Sequence, residues 1–394
     1  MIYFIVLFLL LILTVRYDIN GKEKYRDQWY NAVLIILILI AGLRFRLGED
    51  TINYLYMFYH ETPDLLDFDV DIILSGKQPP LWFLLNSIVK TFGGRFFIIQ
   101  LIHAAILNTL MLKYFKKHSI YPFACTTLYF LWRYQWFSMV IMKASIALSI
   151  ILFANDYFLE KKYVKGFILV LLATGFHQSS LLFMIVPFLT FLRFNRVGIV
   201  LLIASYFMGV FIQSKLGDVF TLFEIADGVS NKLDAYMDGG YMAQHANIKY
   251  FIVNVFPIIF YSILSIAFLK RNCKNAHILS LEPFLMITLL FQMMQFNINM
   301  MYRYIYAFTP YFILFFVHFL MEYSKNSKIL EKSLSYVRSV TILFPLFVSI
   351  AYAWPLIQPN FYPYSTVIER SIDDNRERYY MGFLFYYNLD VNEY

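Results

Sequence analysis

The sequence predicts an all-α polytopic membrane protein, and three observations carry the prediction. Apolar runs long enough to cross a bilayer recur from end to end of the 394 residues. Only 15% of residues are charged, against 60% apolar and 20% aromatic, where soluble domains carry about 25% charge; the mean hydropathy is +0.59. The basic residues, finally, fall in short loops at alternate ends of the apolar runs. Hydrocarbon offers no water to the backbone, so helices are what such runs form. A net charge of +7 gathered in loops reflects topology rather than a nucleic-acid face, and no nucleic-acid partner is expected.

Taken in order, residues 2–15 form a first span. They lack a basic n-region and a small-residue cleavage site, so no cleaved signal peptide is expected. A basic loop with Arg16, Lys22, Lys24 and Arg26 leads to a second span at 29–47. The loop 49–79 holds seven acidic residues and one lysine. Residues 80–92 are apolar but only 13 long, short of the ~20 a spanning helix needs, and read as a re-entrant or interfacial helix. Further spans follow at about 95–113, 119–137, 139–159, 164–177, 178–192, 197–214, 247–269, 277–296, 300–322 and 336–356. The two short ones meet at a polar point around 176–180 and also fit one hairpin turning within a leaflet. Cys125 and Cys273 set no disulfide or zinc pattern.

Orientation follows from the basic residues. Six loops (16–28, 113–118, 160–165, 193–196, 270–275 and 322–338) hold 19 of the 33. With these in the cytoplasm, the chain is a single polytopic domain of about 12 spans. Both termini, the large loops 48–79 and 215–246 and the tail 357–394 then lie outside. If 80–92 crosses, the parity breaks and the side of the N-terminus changes.

The boundary polar residues then share one depth, at the outer leaflet. They are Arg44, Arg46, Asp50, Asn53 and Tyr54 in L-R-F-R-L-G-E-D-T-I-N-Y; Arg133, Gln135 and Trp136 in L-W-R-Y-Q-W; Lys143; His177 in G-F-H-Q-S-S; and Tyr302 and Arg303 in M-Y-R-Y. Charge near hydrocarbon is costly and tends to be functional. Each also has a plainer reading. Arg44, Lys143 and Arg303 are placed to snorkel to headgroups, and His177 to bond a carbonyl at a hairpin tip. Gln292, Gln295 and Asn299 read as interhelical contacts, and His103 and His277 as packing or interface residues.

The stretch G-L-R-F-R-L-G-E-D-T-I-N-Y-L-Y-M-F-Y resembles the EpsG-like branch of the Wzy-type polysaccharide polymerases, whose motif G-x-R-Y-x-x-G-x-D-Y-x-x-Y follows a second span. Further matches come in the family's order: P-P-L-W-F-L-L-N at 79–86, K-A-S-I-A-L-S-I-I-L-F-A at 143–154, L-A-T-G-F-H-Q-S-S-L-L-F at 172–183, M-Y-R-Y-I-Y-A-F-T-P-Y-F at 301–312 and F-Y-P-Y at 361–364. Together they cover roughly 30–365. Gln78 stands where the family often has an acid, Lys143 where it has arginine, and Ser180 where it has alanine.

The resemblance implies transfer of a growing glycan from undecaprenyl diphosphate to the terminal sugar of a second lipid-linked repeat unit, at the outer face of a bacterial cell (inner) membrane. The leaving group is a lipid diphosphate, which cationic donors suit. Arg44, Arg46, Lys143 and Arg303 are expected to recognise it, with Arg133 and Asn53 lining the site. Asp50 or His177 would take the sugar hydroxyl's proton, Asp50 being favoured. Tyr54, Trp132, Trp136 and Tyr302 would stack on sugars. No cation-binding cluster stands near the arginines, so metal-independent transfer without a cofactor is expected. The implied partners are lipid-linked repeat units, membrane lipids, and a chain-length regulator and flippase of the same pathway. Three other classes fit the composition: a lipid-linked oligosaccharide flippase or other transporter, which should place polar residues at the midplane with repeated broken helices; a membrane O-acyltransferase, whose donor usually arrives from the cytoplasm; and a non-enzymatic scaffold.

Overall fold

The computed structural model describes residues 2–48, 50–67, 78–221, 256–272, 276–298, 301–326, 361 and 363–370, and among them every element is helical apart from one isolated bridge. The predicted span 336–356, residues 222–255 and the tail beyond 370 lie outside the described residues, as do 49 and 68–77 of the acidic loop.

In chain order the helices are α1 (Ile2–Leu13), continued by a π turn to Ile19, α2 (Arg26–Gly42), α3 (Thr51–Tyr56), α4 (Pro80–Thr91), α5 (Phe96–His118) and α6 (Pro122–Tyr129). Then come α7 (Met142–Leu159), α8 (Tyr163–Phe176), α9 (Arg196–Thr221), α10 (Phe256–Asn272), α11 (Ala276–Ser280), α12 (Glu282–Gln295) and α13 (Tyr302–Asn326). Five described helices are long and apolar enough to cross a membrane: Ile2–Ile19, α5, α7, Arg196–Gln213 of α9 and Tyr304–Tyr323 of α13. The expected number was about 12. The class agrees, while several expected spans are interrupted. The run 119–137 becomes α6 followed by π turns Phe130–Tyr134 and Trp136–Val140, and the run 277–296 breaks at Leu281, where Pro283 opens α12.

The 12 residues of α4 reach about 18 Å at 1.5 Å per residue, well short of a ~30 Å hydrocarbon core. The segment after α8 is wound differently. Gln178–Leu189 is a 3-10 helix of 12 residues, and at about 2.0 Å rise per residue it extends about 24 Å. Tighter winding thus lets a short apolar run reach further than an α-helix would.

The interior is built from α5, α6, α7 and α13, and every residue of α6 is buried. By contrast α9 leaves Val200, Phe207 and Phe211 exposed. The basic loops converge on one end of the bundle. Lys116 meets Asp27 at 2.9 Å and Arg26 donates to the Ile120 carbonyl at 2.7 Å. Tyr121 donates to Glu322 at 3.3 Å, and Lys270 meets Glu282 at 2.6 Å and the Phe194 carbonyl at 3.1 Å. The opposite end carries the 43–60 segment, the start of α4, the start of α7, the end of α8 and the start of α13.

Candidate functional site

The motif loop is shaped by a break in a helix. After the second π turn the chain leaves helical geometry at Ile141 (φ −88°, ψ 53°) and restarts as α7. Helix ends leave carbonyls without intrahelical partners, and the Met139 carbonyl is taken up by the motif loop. It accepts from an Arg44 terminal nitrogen at 3.4 Å and from Thr51 Oγ1 at 3.3 Å. Gly48 lies over the same oxygen. Its φ of +101° suits glycine, and a Cβ there would sit 2.1 Å from Met139 O.

Arg44 is fully buried. Besides Met139 O, it donates through Nε to the Leu47 carbonyl at 3.1 Å, through a terminal nitrogen to the Ala41 carbonyl, and toward Met142 Sδ at 3.3 Å. The sequence expectation set Arg44 against a diphosphate; the contacts described here are with the protein's own carbonyls. Its guanidinium ties the end of α2, the motif loop and the start of α7 together, because a charge enclosed at a helix end is held by the carbonyl dipoles around it. Residues 364–367 clasp the loop. Phe45 N–H donates to Ser365 O and Val367 N–H to Leu43 O, both at 2.9 Å, and Tyr364 OH donates to Ile40 O at 3.0 Å. The neighbouring Arg46 is half-buried, with its guanidinium 5.1 Å from the Phe45 ring centroid. Its φ of 48° is uncommon for a residue with a side chain, and such backbone clusters at functional sites.

Lys143 is the second residue of α7, so its cation stands beside the positive end of a helix, an arrangement that suits an anion. Its Nζ donates to Gln78 Oε1 at 3.1 Å and lies 5.4 Å from the Tyr54 ring centroid. Tyr54 in turn packs edge-on against Trp82 at 5.7 Å. Tyr54 and Trp82 are both buried, so the tyrosine ring expected to meet a sugar meets the lysine instead. Gln78, two residues before α4, was legible only as a departure from the family pattern. In the fold it is what the lysine holds.

The π turns present a second group. Arg133 stacks on Tyr306 at 4.5 Å, and Trp136 meets the same ring at 6.4 Å. Single π turns within helices frequently mark functional sites. The buried polar atoms Trp136 Nε1, Gln135 Oε1 and Asn53 Oδ1 have no hydrogen-bond partner among the described residues, whereas buried polar groups are normally satisfied. Trp132 packs on Phe312 and Phe316, so its ring belongs to the interior. Tyr306 was not singled out in the sequence.

Asp50 precedes α3, half-buried, and makes no side-chain cap to that helix. His177 occupies the break between α8 and the 3-10 helix (φ −152°, ψ 113°), and its Nδ1 lies 2.6 Å from Ser179 Oγ. Two residues earlier, Gly175 packs against Leu81, which ties this break to the start of α4. Tyr302 and Arg303 open α13; their side chains lie outside the described residues. Beyond them, Tyr304 packs with Phe183 of the 3-10 helix at 6.1 Å, and Tyr306 with Arg133. Thus the helix starts and breaks carrying Lys143, Arg133, His177 and Arg303 adjoin one another at one end of the bundle.

The other end holds a polar cluster that was not expected to be one. Asp156, buried near the end of α7, accepts from Lys117 at 2.6 Å, His118 at 2.9 Å and Tyr114 at 3.3 Å. His118 Nδ1 pairs with His277 Nε2 at 2.9 Å, with the rings stacked. His103, expected to be a packing residue, is buried and bonds Ser145 Oγ at 2.9 Å. Among the described residues no group of three His, Cys, Asp or Glu side chains is placed to hold a metal ion.

Comparison with known proteins finds one correspondence. A family model described as the EpsG family matches residues 27–366. No curated protein and no solved structure matches the chain.

Proposed function

Because the chain belongs to the EpsG family, of membrane proteins of polysaccharide biosynthesis, we propose that it polymerises lipid-linked oligosaccharide repeat units. The glycan leaves undecaprenyl diphosphate for the terminal sugar of a second unit, at the outer face of the cytoplasmic membrane. The convergence of the basic loops on one end supports placing that end in the cytoplasm and the motif end outside.

The observation that carries the reading is the setting of Lys143. It stands at a helix N-terminus, positioned by Gln78 and Tyr54, beside the break that the motif loop clamps through Met139. Lys143, Arg46, Arg133 and Arg303 contact the diphosphate, and Arg44 keeps its loop in place. The acceptor hydroxyl attacks the anomeric carbon, and that carbon's bond to the phosphate oxygen breaks with its electron pair leaving on the lipid diphosphate. Cations preorganised around that developing charge lower the barrier. The hydroxyl proton passes to Asp50 or His177. Asn53, Gln135 and Trp136 offer polar atoms to the sugars.

Deletion of the gene, followed by gel analysis of surface glycan, tests the proposal. The expected result is single repeat units without a ladder. Loss of all surface glycan, with the lipid-linked intermediate retained on the cytoplasmic side, would replace polymerase by flippase. A full ladder lacking only acyl groups would indicate an acyltransferase.

A further inference from the structure

We propose that the exposed columns of the 3-10 helix Gln178–Leu189 hold the polyprenyl chain of the lipid-diphosphate donor. This rests on the polymerase reading above. A 3-10 helix has three residues per turn, so side chains at i and i+3 eclipse and stack in straight columns. Ser180, Phe183 and Val186 form the buried column, and Phe183 packs on Tyr304 and Phe308 of α13 at 6.1 and 5.7 Å. Leu182, Ile185 and Phe188 form a second column, all three exposed. Leu181, exposed, and Met184, partly buried, stand in a third beside it. An apolar face on an α-helix staggers its side chains at i, i+3 and i+4. Here they run in line, with a furrow between the two columns.

What fits the furrow follows from where it starts, where it leads and how it is spaced. Its head is the His177 break, because Ser179 opens the Leu182 column and its Oγ lies 2.6 Å from His177 Nδ1. Gly175, just before the break, packs on Leu81 at the start of α4. The 3-10 helix also packs against α7, which carries Lys143 at its own start. A diphosphate held at these helix starts therefore leaves its lipid chain at the head of the furrow. From there the columns descend toward the basic-loop end, where Arg193 donates to the Thr190 carbonyl at 2.9 Å. From Ser179 to Phe188 they cover about 18 Å, a length that fits within a ~30 Å hydrocarbon core. Inside hydrocarbon an apolar contact brings no hydrophobic gain, so packing decides which chain stays. A polyprenyl chain is stiffened by its double bonds and carries methyl branches at a regular interval. It can seat in a column whose side chains recur about every 6 Å. A phospholipid acyl chain is unbranched and gains less from such a column.

The experiment measures chain extension by full-length protein in lipid nanodiscs. Two donors carry the same repeat unit and diphosphate, one on undecaprenol and one on a two-isoprene alcohol. The column variant Leu182→Ala/Ile185→Ala/Phe188→Ala is expected to raise KM for the undecaprenyl donor about tenfold, and for the short donor less than about twofold. A control variant, Val200→Ala/Ile203→Ala/Phe207→Ala on the exposed face of α9, should leave both values at wild type. If the column variant does not accumulate, Phe188→Ala alone is read the same way, with about a threefold rise. An unchanged ratio of the two KM values overturns the furrow. So does an equal rise with both donors, or the same rise in the α9 variant, which would make the contact one with bulk lipid. A shift from dimer to monomer with the ratio kept would assign the columns to a second copy of the chain and overturn it too. No extension by wild type with either donor would instead sink the polymerase reading. The furrow is then judged by binding of radiolabelled undecaprenyl phosphate, about tenfold weaker in the column variant if the proposal holds and equal to wild type if it fails.

Discussion

Among the described residues, the two ends of the helix bundle differ in the contacts their basic side chains make. At the basic-loop end, cations meet carboxylates: Arg26 with Asp18, Lys116 with Asp27, Lys117 with Asp156, and Lys270 with Glu282. At the motif end the contacts described are with carbonyl oxygens for Arg44, an amide and a ring for Lys143, and ring faces for Arg46 and Arg133. An ion pair neutralises the charge it holds. Carbonyl dipoles and aromatic faces attract a cation without cancelling it. Under the proposed function, it is the cations of the second kind that meet the diphosphate.

Three substitutions break or sharpen that contrast. The largest effect is expected from Asp156→Ala. Removing a buried carboxylate leaves the buried His118 and Tyr114 donors without their acceptor, a loss of about 1–3 kcal/mol, visible as a lower yield of monodisperse protein and a lower unfolding temperature. A variant as stable as wild type would mean that the basic-loop end is not held through Asp156. Next comes Lys143→Ala, at the other end of the same helix. Stability should change by less than about 1 kcal/mol, while chain extension falls about 100-fold, the scale of losing one donor to a developing charge. A fall in folded yield with normal activity per molecule would assign the lysine to packing. The smallest effect is expected from Tyr364→Phe, which removes one hydrogen bond to Ile40 O and should lower stability by about 1 kcal/mol. Chain extension in that variant should stay within about threefold of wild type if the backbone bridge alone keeps the clasp seated.

Much of the architecture was legible because it depends on local composition. A 13-residue apolar run is too short to span wherever it sits, and α4 is a short helix at the motif end. The alternation of basic loops likewise foretold which loops gather together. The roles of particular side chains were less legible. Arg44 and Arg46 look alike in the sequence, two residues apart, yet Arg44 is enclosed by carbonyls and Arg46 is half-buried on a positive-φ backbone. Asp156 and His118 lie 38 residues apart, and no spacing rule joins them. The π turns that carry Arg133 and Trp136 have no pattern distinct from that of an ordinary apolar helix.

The sequence by itself determined that this chain is helical and membrane-embedded, where its basic loops lie and which family it joins. Those properties follow from hydrophobicity and from motifs contiguous in the chain. Only the tertiary structure decided that Lys143 is held by Gln78 and Tyr54, that Arg44 clamps the Met139 carbonyl, and that Ser179 meets His177 Nδ1. Each depends on where a helix breaks and on what packs against the break, and such geometry is set by the neighbours a residue acquires on folding.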